Sequence, residues 1–199
     1  MTPARTIDTR FLDIHNASPA EWAAYHRYRR LRASQDTPDE PVLADADFEL
    51  AVRKRSPLIE SRRYVALIDG EVVGNLFIGA RRNGSPDYET FAPFLDAGGG
   101  VLHEHRRQGV ATALLRPLLD FMEAHGKHTA TASADLPAGH AFLSALGATE
   151  KLRMIENRLP LAGLDWAELA RWKAGVDAPA LGLRWRFTRA GCRWTGLPN

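Results

Sequence analysis

The sequence predicts a three-layer α+β fold: a mixed, mostly antiparallel sheet of about six to seven strands flanked by about four helices, with a C-terminal helix and arm added. Three observations carry this expectation. Residues 63–78 read as two β-rich runs around Asp69-Gly70, a preferred two-residue hairpin turn. Residues 101–115, Val-Leu-His-Glu-His-Arg-Arg-Gln-Gly-Val-Ala-Thr-Ala-Leu-Leu, read as a strand end, a short basic glycine turn and the start of an apolar helix. Helical segments with recognisable start and stop residues lie on both sides of these two features.

Composition narrows the class. The chain has 199 residues, enough for one domain with a sizeable core and an appendage. Hydrophobic residues make up 45% and charged residues 25%, values ordinary for a soluble globular protein. No apolar run approaches a membrane span, and the first residues lack the apolar centre of a signal peptide. Cys192 is the single cysteine, which excludes an internal disulfide and makes the cytoplasm the default location. Residues 181–199 hold four arginines and no acid, so the net +2 of the whole chain divides into +4 there and −2 over residues 1–180. A basic tail beside a slightly acidic body is not the pattern of a nucleic-acid-binding fold.

In chain order, residues 7–14 alternate loosely as a first strand. Ser18-Pro19-Ala20-Glu21 is a helix start with a serine cap, a proline at the first position and a capping-box glutamate. That helix is expected to run to about Ala33, its arginines 27, 29, 30 and 32 forming a solvated face. A proline-containing break at 35–41 precedes a short helix over 45–55. After the 63–78 hairpin, 81–87 is a loop and 88–102 holds a fourth strand, its start blurred by Pro93 and Gly98-Gly99-Gly100. The next helix spans 109–125, is stopped by Gly126, and contains Pro117, where a bend is expected. A fifth strand over 127–134, a short helix over 137–148 and two last strands within 149–161 complete the domain. Asp165-Trp166-Ala167-Glu168 opens another helix, 174–181 reads as a linker, and Arg184-Trp185-Arg186-Phe187 alternates like the start of a strand.

The turn at 106–112 has a chemistry of its own. A helix N-terminus presents unpaired N–H groups and the positive end of the helix dipole, and so attracts phosphate. Gly109 lets the backbone come close to a ligand, Ala111 keeps the first turn open, and Arg106 and Arg107 add charge. Arg106-x-x-Gly109-x-Ala111 followed by Thr-Ala-Leu-Leu resembles the pyrophosphate-binding signature of GNAT acyltransferases, Arg/Gln-x-x-Gly-x-Gly/Ala between the fourth strand and the third helix. Phe142-Leu143-x-x-Leu146-Gly147-Ala148 is similar to the end of the fourth GNAT helix. The resemblance covers residues 5–161 and gives a domain at 1–161 and an extension at 162–199. It is closest to the first half of a tandem GNAT protein carrying a stub of its second half, or to a single domain with an added arm.

The resemblance implies acetyl-CoA as cosubstrate and acyl transfer to an amine of a small molecule or protein, without metal. Backbone groups of Val101, Leu102 and His103 would meet the pantetheine arm. Arg106, Arg107, Gln108, Gly109, Val110, Ala111 and Thr112 would hold the pyrophosphate, with His140 and Phe142 as further cofactor contacts. In the family the fourth strand splays from its neighbour to admit pantetheine, and Gly98–Gly100 suit such a splay, or a loop. His103 is either functional or an exposed strand-end histidine. The usual acid, a tyrosine, falls at Leu143, which cannot donate a proton, and the asparagine that often follows the fifth strand falls near Leu136. Asp96 is the candidate base, Glu89 a weaker one. Two readings therefore stand: an active N-acetyltransferase, or a catalytically silent domain that binds acyl-CoA for a structural or regulatory role. An open sheet edge and the aromatic tail suggest a homodimer.

Overall fold

The computed structural model describes residues 6–54, 56–154, 163–176, 185–188 and 191–194. It divides into two compact units, Met1–Thr149 and Glu150–Asn199. The first contains β1 (Asp8–Phe11), α1 (Pro19–Asp36), α2 (Asp45–Arg53), β2 (Ile59–Ile68), β3 (Glu71–Arg81), α3 (Tyr88–Phe91), β4 (Phe94–Val101), α4 (Val110–Ala124), β5 (Thr129–Thr131) and α5 (Pro137–Ala145). The strands form one sheet in the order β1-β2-β3-β4-β5, antiparallel except for the parallel β4–β5 pair. Five strands are described here against the six to seven expected. Of the two expected within 149–161, residues 149–154 carry none, and residues 155–161, including the expected domain boundary, lie outside the described residues.

Local chemistry explains these elements. At the start of α1 the Ser18 Oγ accepts from the Glu21 N–H at 3.3 Å, and the Glu21 carboxylate accepts from the Ser18 N–H at 2.7 Å. The helix runs three residues past the expected end, to Asp36, which Arg32 grips one turn back at 3.0 Å. The hairpin turn uses Asp69 at φ 52° and Gly70 at φ 83°, the left-handed pair that matches strand twist. The range 88–102 holds the expected strand as β4, which begins after Pro93 and is preceded by a one-turn helix. Pro93 has no N–H for the ladder, but its carbonyl accepts from His128 and Thr129 at 2.8 and 3.0 Å and so starts the β4–β5 pairing.

Gly98–Gly100 are strand rather than loop, paired in sequence with Phe77, Leu76 and Asn75. The register shift in the sheet lies between β2 and β3, at Ala66/Leu67. The splay from β5 is present: β4 pairs with β5 only from Phe94 to Asp96, and the strands part after Thr131.

Each face of the sheet carries its own core. On one side Val110, Leu114, Leu118 and Phe121 of α4 pack on Ile78, Leu95 and Val101. On the other, Trp22, Tyr25 and Tyr28 of α1 and Val52 of α2 pack on Val65, Val72 and Leu102. The α1 arginines are not a uniformly solvated face. Arg29 is only 13% exposed, pairs with Asp45 at 2.7 Å and lies 4.6 Å over the Phe48 ring; Arg32 lies against Gly100. Both face α2 or β4, where a guanidinium can combine a carboxylate with a ring or a backbone surface.

In the second unit α6 (Trp166–Val176) is capped by Asp165, whose carboxylate accepts from the N–H groups of Ala167 and Glu168 at 2.9 and 3.0 Å. A hairpin follows, β6 (Trp185–Thr188) with β7 (Gly191–Trp194); the second strand was not expected from the sequence. Among the described residues no helix is long and apolar enough to cross a membrane.

A side chain on Gly99 would collide with the Asn75 carbonyl oxygen of β3. Gly99→Ala should therefore lower stability by about 1–3 kcal/mol, measured as an earlier urea midpoint. An unchanged midpoint would show that β4 can shift freely on β3.

Candidate active site

The site is built where β4 stops pairing with β5. In an antiparallel ladder, alternate residues direct their N–H and C=O groups to alternate sides. The Leu102 N–H donates to the Val73 carbonyl of β3 at 3.0 Å, which sets the phase. The N–H groups of Gly99 and Val101 consequently face the β5 side, beyond the point where β5 has parted. Of the three expected pantetheine contacts, only Val101 offers its N–H to this open edge. Leu102 is engaged in the sheet, and the His103 N–H donates to the Gln35 Oε1 at 3.0 Å. Gly99 is a further edge donor, set by ladder phase, which no residue type signals.

The edge leads through a 3₁₀ turn, His103–His105, into α4. Arg107 at φ 61° and Gly109 at φ 87° are both left-handed and curl the backbone around the helix start. No side chain caps α4, and its first backbone bond is Ala113 N–H to the Gly109 carbonyl at 2.8 Å. The N–H groups of Val110, Ala111 and Thr112 thus open on the turn without a helical partner. A Cβ at Gly109 would meet only Ile7, at 3.7 Å, so glycine answers a need for positive φ rather than for space. An uncapped helix start after a left-handed turn fits a diphosphate.

The arginines divide. Arg107 is exposed, and no ion pair holds it among the described residues. Arg106 turns inward: its Nε donates to the Val101 carbonyl at 3.0 Å and its Nη2 to Asp36 at 2.8 Å. The same Asp36 Oδ1 lies 2.9 Å from the His103 Nε2, and its Oδ2 accepts from the Arg32 Nε at 3.0 Å. Burial would raise the Asp36 pKa, but the hydrogen bonds from Arg32, Arg106 and His103 outweigh it, and the carboxyl sits below its ordinary range. One carboxylate therefore ties the end of α1 to the turn. Gln35 adds a second tie, its Nε2 donating to Glu104 at 3.0 Å. Gln108 is exposed and donates to the Glu104 carbonyl at 2.6 Å, which leaves its side chain part of the turn's own frame.

The α1/α2 face of β4 carries Asp96, Gly98 and Gly100. Asp96 is exposed and accepts from the Thr131 hydroxyl. Beyond it, a Cβ on Gly98 would meet nothing within 4 Å, so the space above this residue is open. The Tyr28 hydroxyl donates to the Asn75 Oδ1 at 2.7 Å and lies 2.8 Å from the Gly100 carbonyl; burial pushes its pKa up, so it stays protonated. Glu89 lies on α3. On α5, His140 is exposed and Phe142 and Leu143 are half-buried.

Comparisons with known proteins give the family and support the fold. The family model described as Acetyltransferase (GNAT) family matches residues 22–148. Among solved structures, a tandem GNAT protein from the clavulanic acid biosynthesis pathway is 21% identical with a TM-score of 0.58, covering 71% of this chain; the chain spans only 43% of that protein. A ribosomal-protein-alanine N-acetyltransferase from Brucella melitensis biovar Abortus 2308 is 19% identical with a TM-score of 0.56, covering 77% of this chain and 99% of its own. The yncA protein of Salmonella typhimurium, solved with its cofactor acetyl-CoA, is 22% identical with a TM-score of 0.54, over 74% and 82% of the two chains. At these identities the likeness is one of fold. No curated protein matches the chain.

A carboxyl with a lowered folded pKa contributes stability that is complete above its unfolded value, about 4, and is lost as pH falls through the folded value. Asp36→Asn should therefore show a lower urea midpoint than wild type at pH 7, with the gap closing below about pH 4. A gap that does not depend on pH would show that the Asp36 charge is not what ties α1 to the turn.

Proposed function

Because the chain belongs to the acetyltransferase (GNAT) family, we propose that it transfers an acetyl group from acetyl-CoA to an amine of a small molecule or protein. The observation that carries this reading is the continuity of two unfilled backbone features. The open β4 edge at Gly99 and Val101 runs within a few residues into the uncapped start of α4. An amide-bearing arm with a diphosphate at its end matches that sequence of donors. Val101 and Gly99 meet the arm and the thioester carbonyl, and the turn from Arg107 to Thr112 meets the diphosphate. Arg106 acts on the turn from behind, through Asp36.

The amine arrives as an ammonium and must lose a proton, which Asp96 accepts directly or through water. The amine nitrogen attacks the thioester carbon, and the oxygen that gains charge is met by the edge N–H groups. The carbon–sulfur bond then breaks, the nitrogen gives up its second proton to water as the amide forms, and the CoA thiolate takes a proton from solvent. Holding both reactants on one strand supplies the proximity that such a direct transfer needs. Structures of similar fold include an aminoglycoside acetyltransferase from an uncultured soil metagenomic sample as well as the ribosomal-protein-alanine N-acetyltransferase, which supports an amine acceptor of either size class.

Leu143 favours a second reading, a domain that binds acyl-CoA without turning it over. Two measurements separate them. Calorimetric titration should give acetyl-CoA binding at about micromolar strength, abolished in Gly109→Glu by bulk and like charge. A wild type that does not bind would defeat both readings. With an amine panel, wild type should release CoA thiol, and Asp96→Asn should slow release by about 10²–10⁴-fold while binding acetyl-CoA normally. Binding without release above background leaves the silent domain as the correct account.

A further inference from the structure

The described arginines buried against α1 and β4 have carboxylate partners, with one exception. Arg29 pairs with Asp45, and Arg32 and Arg106 pair with Asp36. Arg63 of β2 is only 8% exposed, more deeply buried than any of these, and no carboxylate among the described residues pairs with it. Its Nη1 donates to the Tyr25 hydroxyl at 2.6 Å. Its guanidinium carbon lies 5.3 Å from the Tyr25 ring and 5.6 Å from the rings of Phe48 and Phe77. Aromatic faces offset part of the cost of burying a cation, and its other guanidinium nitrogens, which have no protein acceptor among the described residues, are not among the fully buried unpartnered atoms and so reach solvent.

Its position bears on the reaction. Arg63 pairs with Phe77 and Phe77 with Gly98, so the three form one row across β2, β3 and β4 on the α1/α2 face. At the β4 end of that row the space above Gly98 is open, with Asp96 two residues to one side and Arg32 against Gly100 on the other. A face that carries two guanidiniums repels a polycation. With a guanidinium that has no carboxylate partner at one end of the row and the Asp96 carboxylate beside the other, it suits a molecule that carries both charges.

We infer that the acceptor is a small amine that also bears a carboxylate, and that Arg63 receives the carboxylate while the amine lies toward Asp96 and the Gly99 edge. This rests on the proposed function above, in which Asp96, on this face, accepts the proton of the amine. A carboxylate would supply the bidentate partner that Arg63 lacks. Row geometry allows the two charges to be separated by up to two strand spacings, about 9.5 Å, which favours an ω-amino acid over an α-amino acid.

The test is a set of equilibrium titrations with matched probes, 4-aminobutyrate and 6-aminohexanoate against their primary amides, with and without saturating CoA. The acids should bind at least about tenfold more tightly than the amides. Arg63→Met should abolish that preference while acetyl-CoA still binds, which reports an intact site. Should Arg63→Met fail to fold, Arg63→Lys keeps the charge without the fork, and the preference should shrink several-fold. Equal affinities within each pair, no binding of either member, or a preference that survives at full size in both variants would each overturn the inference. Failure of acetyl-CoA to bind wild type counts instead against the acetyltransferase reading, because the probe titrations without CoA are read independently of it.

Discussion

Everything at the site depends on the half-paired state of β4. Backbone N–H and C=O groups are obligatory hydrogen-bonding groups, and a strand paired on one side only must satisfy the other side by different means. Here β5 is three residues long and serves only Phe94 to Asp96. Further along, the chain meets the requirement piecemeal. The Val101 carbonyl takes Arg106, and the His103 N–H takes the Gln35 side chain. What remains toward the gap is the N–H and carbonyl of Gly99 and the N–H of Val101, next to an uncapped helix. The fold thus leaves a short, directed set of unpaired backbone groups rather than a ragged edge, and an edge of that kind can pair with an extended chain.

The second constraint is the Asp36 carboxylate. Three cationic or donor side chains from two segments converge on it, and it joins the end of α1 to the turn before α4. A guanidinium shared between a carboxylate and a backbone carbonyl, as Arg106 is, holds its segment rigidly, and a rigid turn is what a backbone anion site would need, since its N–H groups work only if they converge. Arg107 is left exposed.

Much of this was legible in the sequence, and the boundary of legibility is physical. The Ser18 capping box, the Asp69-Gly70 turn and the Gly109 helix start are set by interactions within a few residues, so residue type announces them. The apolar stripe of α4 likewise follows from the helical period. The division of 88–102 into α3 and β4 was not legible, because it turns on which partner takes the Pro93 carbonyl. The same holds for the inward turn of Arg106, the Gly99 donor and the ring-lined position of Arg63. Each depends on contacts between residues tens of positions apart, and an arginine bound for a phosphate reads the same as one bound for an aspartate.

The geometry also constrains how a transfer here could end. Leu143 cannot protonate a leaving thiolate. Tyr28 keeps its proton through burial, yet the hydroxyl is committed to Asn75 on the α1 side of the sheet, while the open edge faces β5. Two cations lie beside the edge, but the Arg32 Nε is held by Asp36 with its Nη1 directed at Asn75, and Arg106 is held by the Val101 carbonyl and Asp36. These residues therefore offer charge and dipoles in place of a titrating acid. A thiolate is stable enough in water to leave under those conditions, whereas an ammonium must be deprotonated before it can attack. The demand on protein side chains consequently falls on the base side of the reaction, which makes the surroundings of Asp96 and the charge state of the bound amine, rather than the absent tyrosine, the features that decide between catalysis and mere binding.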